Sequence, residues 1–186
     1  MTDYFLRQLA DYVQYHRDPR NCALHVLGII TLFLAAILPL TMWPVTLFGV
    51  QSTLAPLMVL PVLIYWLALD ATIGLAIIAV AGFLLWTAAM IVDHVSGTGV
   101  FITSAVLIVI GVASQIIGHR VFERRQPALV DNPSHLLMGP MFVVAKLFIA
   151  LGYRDDLAAI IASSAKDGPS ASLYPGDRQV EPPARP

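Results

Sequence analysis

Between Arg20 and Arg120 the chain contains no lysine and no arginine, and only two acids, Asp70 and Asp93. A stretch that long without cationic side chains cannot dress a water-exposed surface, which excludes an ordinary soluble globule and places the segment in lipid. The scarcity is general: 12% of the 186 residues are charged and 58% are hydrophobic, above the roughly half expected of soluble domains. With 11 Lys+Arg against 12 Asp+Glu and no basic stripe interleaved with aromatics, the chain has nothing to neutralise a phosphate backbone, so nucleic acid is excluded as a partner. Cysteine is nearly absent too. Cys22 has no second cysteine for an internal disulfide, and at the start of an apolar run it reads as an inert small hydrophobe. There is no internal repeat and no nucleotide-binding glycine loop; Gly97 and Gly99 mark a turn.

Apolar runs fill the gap between the two arginines. They divide into spans at Ala23 to Met42, Leu54 to Leu69, Ala71 to Val92 and Val100 to Gly118, each near the roughly 20 residues needed to cross hydrocarbon. The second boundary is the least regular, because Pro44, Pro56 and Pro61 each remove a backbone donor and delay or kink a helix. The first run lies behind a polar leader and precedes three more, so it reads as a retained span rather than a cleaved signal. Arg7, Arg17 and Arg20 precede span one, and Arg120, Arg124 and Arg125 follow span four, while the loops 43–53 and 93–99 carry no cation. Positive charge marks the cytoplasmic side, and an even number of spans makes both termini cytoplasmic. The expected setting is a bacterial inner membrane, or the endoplasmic reticulum in a eukaryote. The fold class is all-α: a bundle of about four transmembrane helices.

The flanks differ. Phe5, Leu9, Tyr12, Val13 and His16 recur at helical spacing, with Arg7, Asp11 and Gln14 off the stripe, which predicts an amphipathic N-terminal helix on the membrane surface. Between Asn132 and Leu151 a second apolar stretch is interrupted by Gly139 and Pro140 and carries Lys146, which favours an interfacial or re-entrant helix over a fifth crossing. Composition then turns to Ser, Pro, Gly and charge. The expected division is a membrane-embedded catalytic domain over 1–160 and a disordered cytoplasmic tail over 161–186.

Topology sorts the five histidines before any chemistry is invoked. His94 falls on the far side, as a turn residue. His16, His25 and His119 come from distant segments yet reach one membrane face, together with Asn21, Glu123 and Asp70. Gln115, His119 and Glu123 are spaced by four and share a helical face. Three neutral imidazoles beside a carboxylate suit Fe(II) or Zn(II), and spacing alone does not choose between them or exclude haem held by two histidines. A satisfied packing histidine is the ordinary alternative for each. Asp70, at the junction of spans two and three, is either a functional carboxylate or a helix cap. The arginine cluster sets topology, and Arg120 and Arg124 are also candidates to attract a substrate carboxylate.

Two segments carry a resemblance. YHRDPRNCALHVLG, residues 15–28, and QIIGHRVFERRQPALVDN, residues 115–132, resemble the signature blocks of the small multi-pass membrane 2-hydroxy-fatty-acid dioxygenases of phytosphingosine breakdown and fatty-acid α-oxidation. The first block reads Tyr-His, Asn, His-x-x-Gly; the second reads Gln-x-x-Gly-His, Phe-Glu, Pro-Ala-Leu. The likeness covers roughly residues 3–152. It implies an Fe(II) cofactor held by His16, His25 and His119, with Asn21, Gln115 and Glu123 as accompanying polar positions, Glu123 being a further ligand or an orienting group. It also implies molecular oxygen and a 2-hydroxy fatty acid as substrates, one carbon being removed. Pro127, Ala128 and Leu129 match a structural piece of the signature. Lys146 departs from the pattern, standing where the family's closing block has an acid, and His135 matches no motif histidine and falls outside the expected site. The rival classes are a non-enzymatic membrane scaffold or small carrier, which binds no metal, and a zinc-dependent lipid hydrolase, which needs no oxygen.

Overall fold

The computed structural model describes residues 1–124 and 133–166, with side chains to residue 163. Helix α1 (Asp3–Gln14) leads to α2 (Pro19–Thr41), then to a hairpin of β1 (Pro44–Leu47) and β2 (Val50–Thr53), and to α3 (Leu54–Leu69), α4 (Ala71–His94) and α5 (Gly97–Ile117). The end of α5 widens into a π-helical turn at Gly118–Glu123; α6 (His135–Ala150) and α7 (Asp155–Lys166) follow. Three of the starts have a local cause. Asp18 accepts from the N–H of Arg20 at 2.7 Å with Pro19 in the first turn, Asp70 accepts from Ile73 at 3.0 Å, and Ser96 accepts from Gly99 at 3.2 Å, satisfying N–H groups that a helix start leaves orphaned.

The protein is an all-α membrane bundle. α2, α4 and the continuous Gly97–Glu123 segment are long and apolar enough to cross a bilayer. Their outer faces carry Phe83, Trp86, Phe101, Ile102 and Val109 in the open, a surface that lipid tolerates and water does not. α3, with 16 residues, is about 24 Å long, short of the roughly 30 Å of hydrocarbon. It still runs the height of the bundle: Leu54 N–H bonds Trp43 at the hairpin end, while Leu69 C=O accepts from Thr2 at the other. The predicted loop 43–53 is the β hairpin, turned by Phe48 and Gly49 at φ 50° and 81°, the two-residue geometry that matches strand twist.

Two expectations about the flanks are refined. The apolar face of α1 is turned to protein: Phe5, Leu9 and Tyr12 are buried with Trp66, Phe142 and Leu157 in the core at this end. The stripe was legible, but the residues that cover it come from α3 and α4, more than fifty positions away, and from α6 and α7, more than a hundred. The break expected at Gly139 and Pro140 is not there: α6 runs unbroken through both, and the chain turns instead after it, where α6 and α7 meet at a 114° bend. Gly152 at φ 79° makes that stop, with Tyr153 N–H bonded back to Phe148 at 2.8 Å. α7 carries helix to Lys166, so residues 161–166 of the predicted tail are structured. The remainder, with Arg125 and the Pro127-Ala128-Leu129 piece, lies outside the described residues.

Candidate metal centre

The two signature blocks meet where α2 crosses α5, and their glycines explain the crossing. A Cβ on Gly28 would overlap the side-chain amide of Gln115, and a Cβ on Gly118 would overlap Asn21 Oδ1. Each block therefore keeps a glycine where the other block's polar side chain sits. Gln115 Nε2 donates to the backbone C=O of His25 at 3.2 Å, so the amide braces the turn of α2 that presents this histidine.

His16, His25 and His119 each offer one ring nitrogen, all within 4.8 Å of one another. Ring centroids are 4.4 Å apart for His16–His25, 4.9 Å for His16–His119 and 5.5 Å for His25–His119. His16 Nε2, His25 Nδ1 and His119 Nδ1 are buried with no hydrogen-bond partner, an arrangement that costs free energy unless something else takes the lone pairs. The His16 tautomer follows from geometry. Its Nδ1 lies 2.9 Å from the Tyr12 carbonyl, which only accepts, so the proton sits on Nδ1 and Nε2 keeps a lone pair. Burial first, then the neighbouring His25, pushes the His16 pKa down to about 2, and the ring stays neutral.

Tyr12, which the sequence placed on the apolar stripe of the N-terminal helix, touches two members of the cluster. Its ring stacks on His16 with centroids 4.0 Å apart and planes at 10°, and its Oη is 2.6 Å from His25 Nε2. Burial raises the phenol well above its ordinary value, so it remains protonated. His135, expected outside the site, lines the same cavity as the three histidines. It is buried, with Nε2 3.0 Å from the Asp11 carboxylate in a contact not aligned as a hydrogen bond. Its sequence signal was hidden in an apolar stretch, and only the packing of α6 on α1 brings it in.

The other expected site residues are placed as follows. Glu123 lies in the same π turn as His119 but is not one of the three clustered side chains that could hold a metal. Its Oε1 accepts from the N–H of Asp18 at 2.7 Å and from Asn21 Nδ2 at 3.2 Å, clamping the start of α2. Asn21 Nδ2 also reaches the Tyr15 carbonyl at 3.3 Å. Asp70 stands apart from the histidines, capping α4 and pairing with Arg154 at 3.1 Å. Arg120 and Arg124 are exposed and do not line the cavity. Lys146 donates to Cys22 Sγ at 3.3 Å and lies 5.1 Å from the centroid of the Phe142 ring. His94 bonds Met90 C=O at the far end of α4.

The donor set fits an ion that accepts imidazole nitrogen. Among the described residues the group holds three histidines and no carboxylate, a composition suited to Fe(II) or Zn(II) rather than Mg(II) or Ca(II). The cluster forms the head of a cavity of about 500 Å³ whose walls are otherwise almost wholly apolar, within the size range of small-molecule sites.

Comparison with known proteins agrees with this arrangement. The profile of the Mpo1-like family, described as 2-hydroxy-palmitic acid dioxygenase Mpo1-like, matches residues 2–151. The Saccharomyces cerevisiae 2-hydroxy-palmitic acid dioxygenase MPO1 is 32% identical over 155 residues, covering 83% of this chain and 85% of the yeast protein. No solved structure matches the chain.

Proposed function

The chain belongs to the Mpo1-like family of 2-hydroxy-palmitic acid dioxygenases, and from that premise we propose that it is an Fe(II)-dependent dioxygenase. It removes one carbon from 2-hydroxy fatty acids, as in α-oxidation, at the cytoplasmic face of a membrane. The observation that supports this most directly is the set of three buried histidines, each keeping an unpartnered ring nitrogen at the head of an apolar cavity.

His16 Nε2, His25 Nδ1 and His119 Nδ1 would hold the ion. Iron, when bound, supplies the electrons and open positions that oxygen chemistry at a carbon–carbon bond requires. The protein's own groups do the rest. The Tyr12 carbonyl fixes the tautomer and angle of His16, and Tyr12 Oη accepts the Nε2–H of His25, freeing Nδ1. Gln115 holds the backbone from which His25 projects. The apolar walls exclude water and bury the acyl chain, leaving the 2-hydroxyl and carboxylate at the histidine end, where the bond between carbons one and two is to be cut.

Elemental analysis of the purified full chain, beside His119→Ala, tests the reading. Iron near one per chain, lost in the variant, with oxygen uptake on adding 2-hydroxypalmitate, is the expected result. Turnover that continues without oxygen on a zinc-loaded protein would favour the lipid hydrolase. No metal after anaerobic reconstitution with Fe(II) would favour a scaffold or carrier.

A further inference from the structure

We propose that the cavity behind the histidines is a measuring slot for a single acyl chain, open sideways to the bilayer between α2 and α3, in which Ala36 and Leu40 set the longest tail accepted. This rests on the fatty-acid reading above and says which part of the molecule grades the substrate.

One face of α2 builds the slot. Ile29, Leu32, Phe33, Ala36, Ile37 and Leu40 all line it, the spacing of a single helical stripe. Opposite stand Met58, Val59 and Val62 of α3. From His25 to Leu40 the helix advances about 22 Å at 1.5 Å per residue. Carbon–carbon bonds of about 1.5 Å advance a zig-zag chain by about 1.3 Å per carbon, so the slot matches roughly 17 carbons. Polarity is confined to one end: beyond Gln115 and Trp66 no lining side chain is polar, and the Trp66 indole N–H is already spent on Leu137 C=O at 2.7 Å. A ligand with one polar head and one long unbranched tail fits this distribution. A polar or compact ligand leaves the far half empty or unsolvated.

The slot is also accessible from the side. Ala36 lines it and is exposed, and Met58, directly in the α2–α3 wall, is 50% exposed. Both lie in the helices that run the height of the bundle, so this flank faces hydrocarbon. A tail enters from the bilayer without crossing water, and its head is drawn to the histidine end.

Photolabelling tests the slot without requiring turnover. The full chain in lipid nanodiscs is illuminated with palmitate and octanoate analogues carrying a diazirine at the terminal carbon, and labelled peptides are mapped by mass spectrometry. The expected palmitate label falls on residues 36–40 and 58–59, is competed by 2-hydroxypalmitate, and shifts toward residues 29–33 with the octanoate analogue. Labels scattered over the lipid-facing side of α4 and α5, the same for both lengths and not competed, would overturn the proposal. Ala36→Phe narrows the slot at an exposed position. It should lower the palmitate-to-octanoate labelling ratio, and the corresponding kcat/KM ratio for 2-hydroxy acids, by about tenfold, the loss expected when two methylenes go unburied. An unchanged ratio would also overturn it. Length-graded labelling without any oxygen consumption would leave the slot standing and sink the dioxygenase reading. Turnover with a flat length profile would do the reverse.

Discussion

Tyr12 Oη and His25 Nε2 lie 2.6 Å apart, while the same tyrosine's ring stacks on His16 and its carbonyl holds His16 Nδ1. One residue of α1 thus orients two of the three histidines through three different parts of itself. Tyr12→Phe removes only the hydroxyl. It should lower iron affinity by about 10- to 100-fold, the usual effect of losing an orienting partner, while the fold is kept by the ring. Chelator competition against the purified variant measures this; unchanged affinity would show that His25 needs no support.

Gly28 and Gly118 give a packing prediction with an internal control. Alanine at either must displace Gln115 or Asn21, and should cost about 1–3 kcal/mol as overpacking. Gly82 has nothing within 4 Å of its would-be Cβ, so Gly82→Ala should be neutral or stabilising by up to about 1 kcal/mol. Thermal unfolding of the three variants in one detergent compares them.

Glu123 separates a clamp from a ligand. With its Oε1 engaged by Asp18 and Asn21, Glu123→Gln keeps an accepting oxygen and should lower stability by about 1 kcal/mol, the difference between hydrogen bonds to a charged and to a neutral acceptor, and leave iron content as in the wild type. Loss of iron in a folded variant would make Glu123 a ligand.

Acid should loosen the α3–α4 junction from α7. Burial alone would raise the Asp70 carboxyl, but hydrogen bonds from Arg154 and Ile73 and the guanidinium charge outweigh it and hold the group below its ordinary range. A carboxyl depressed in the folded state stabilises fully above its unfolded pKa, about 3.9. That contribution is lost as pH falls through the lower folded value. Stability should therefore be flat above about pH 5 and decline in acid, and Arg154→Ala should cost about 3 kcal/mol at neutral pH by leaving Asp70 buried and unpaired. Melting curves across pH for wild type and Asp70→Asn check the sign: the variant should lose most of the acid dependence.

Much of this was legible because lipid imposes simple rules. The missing cations from 21 to 119 marked the spans, and the parity of the crossings brought His16, His25 and His119 to one face before any contact was seen. What was hidden depended on distant packing. Glu123 was legible as a polar neighbour of His119, but its hydrogen-bond partners Asp18 and Asn21 lie more than a hundred positions away at the start of α2. Tyr12 looked like one more member of an apolar stripe, and only α2 crossing beside it turns its hydroxyl into a partner for His25. His135 gave no motif signal, since its placement depends on α6 folding back over α1. Asp70 was ambiguous between site and cap; its partner Arg154 lies 84 positions away.

The burial of α1 against α6 and α7 has a consequence for how the protein is made. Helix α1, which leads into His16, leaves the ribosome before the rest of the bundle, and Leu157, which helps cover it, leaves about 145 residues later. At about 5–20 residues per second that interval is roughly 7–30 s. Throughout it the stripe of Phe5, Leu9 and Tyr12 has at most the α3–α4 part of its cover, Trp66, Leu69 and Ile73, and a bilayer surface is the natural resting place for the rest of a helix so patterned. The metal centre is therefore among the last parts of the molecule to close, and a chain stopped before His135, lacking both α6 and α7, should retain its crossings yet leave α1 open to protease.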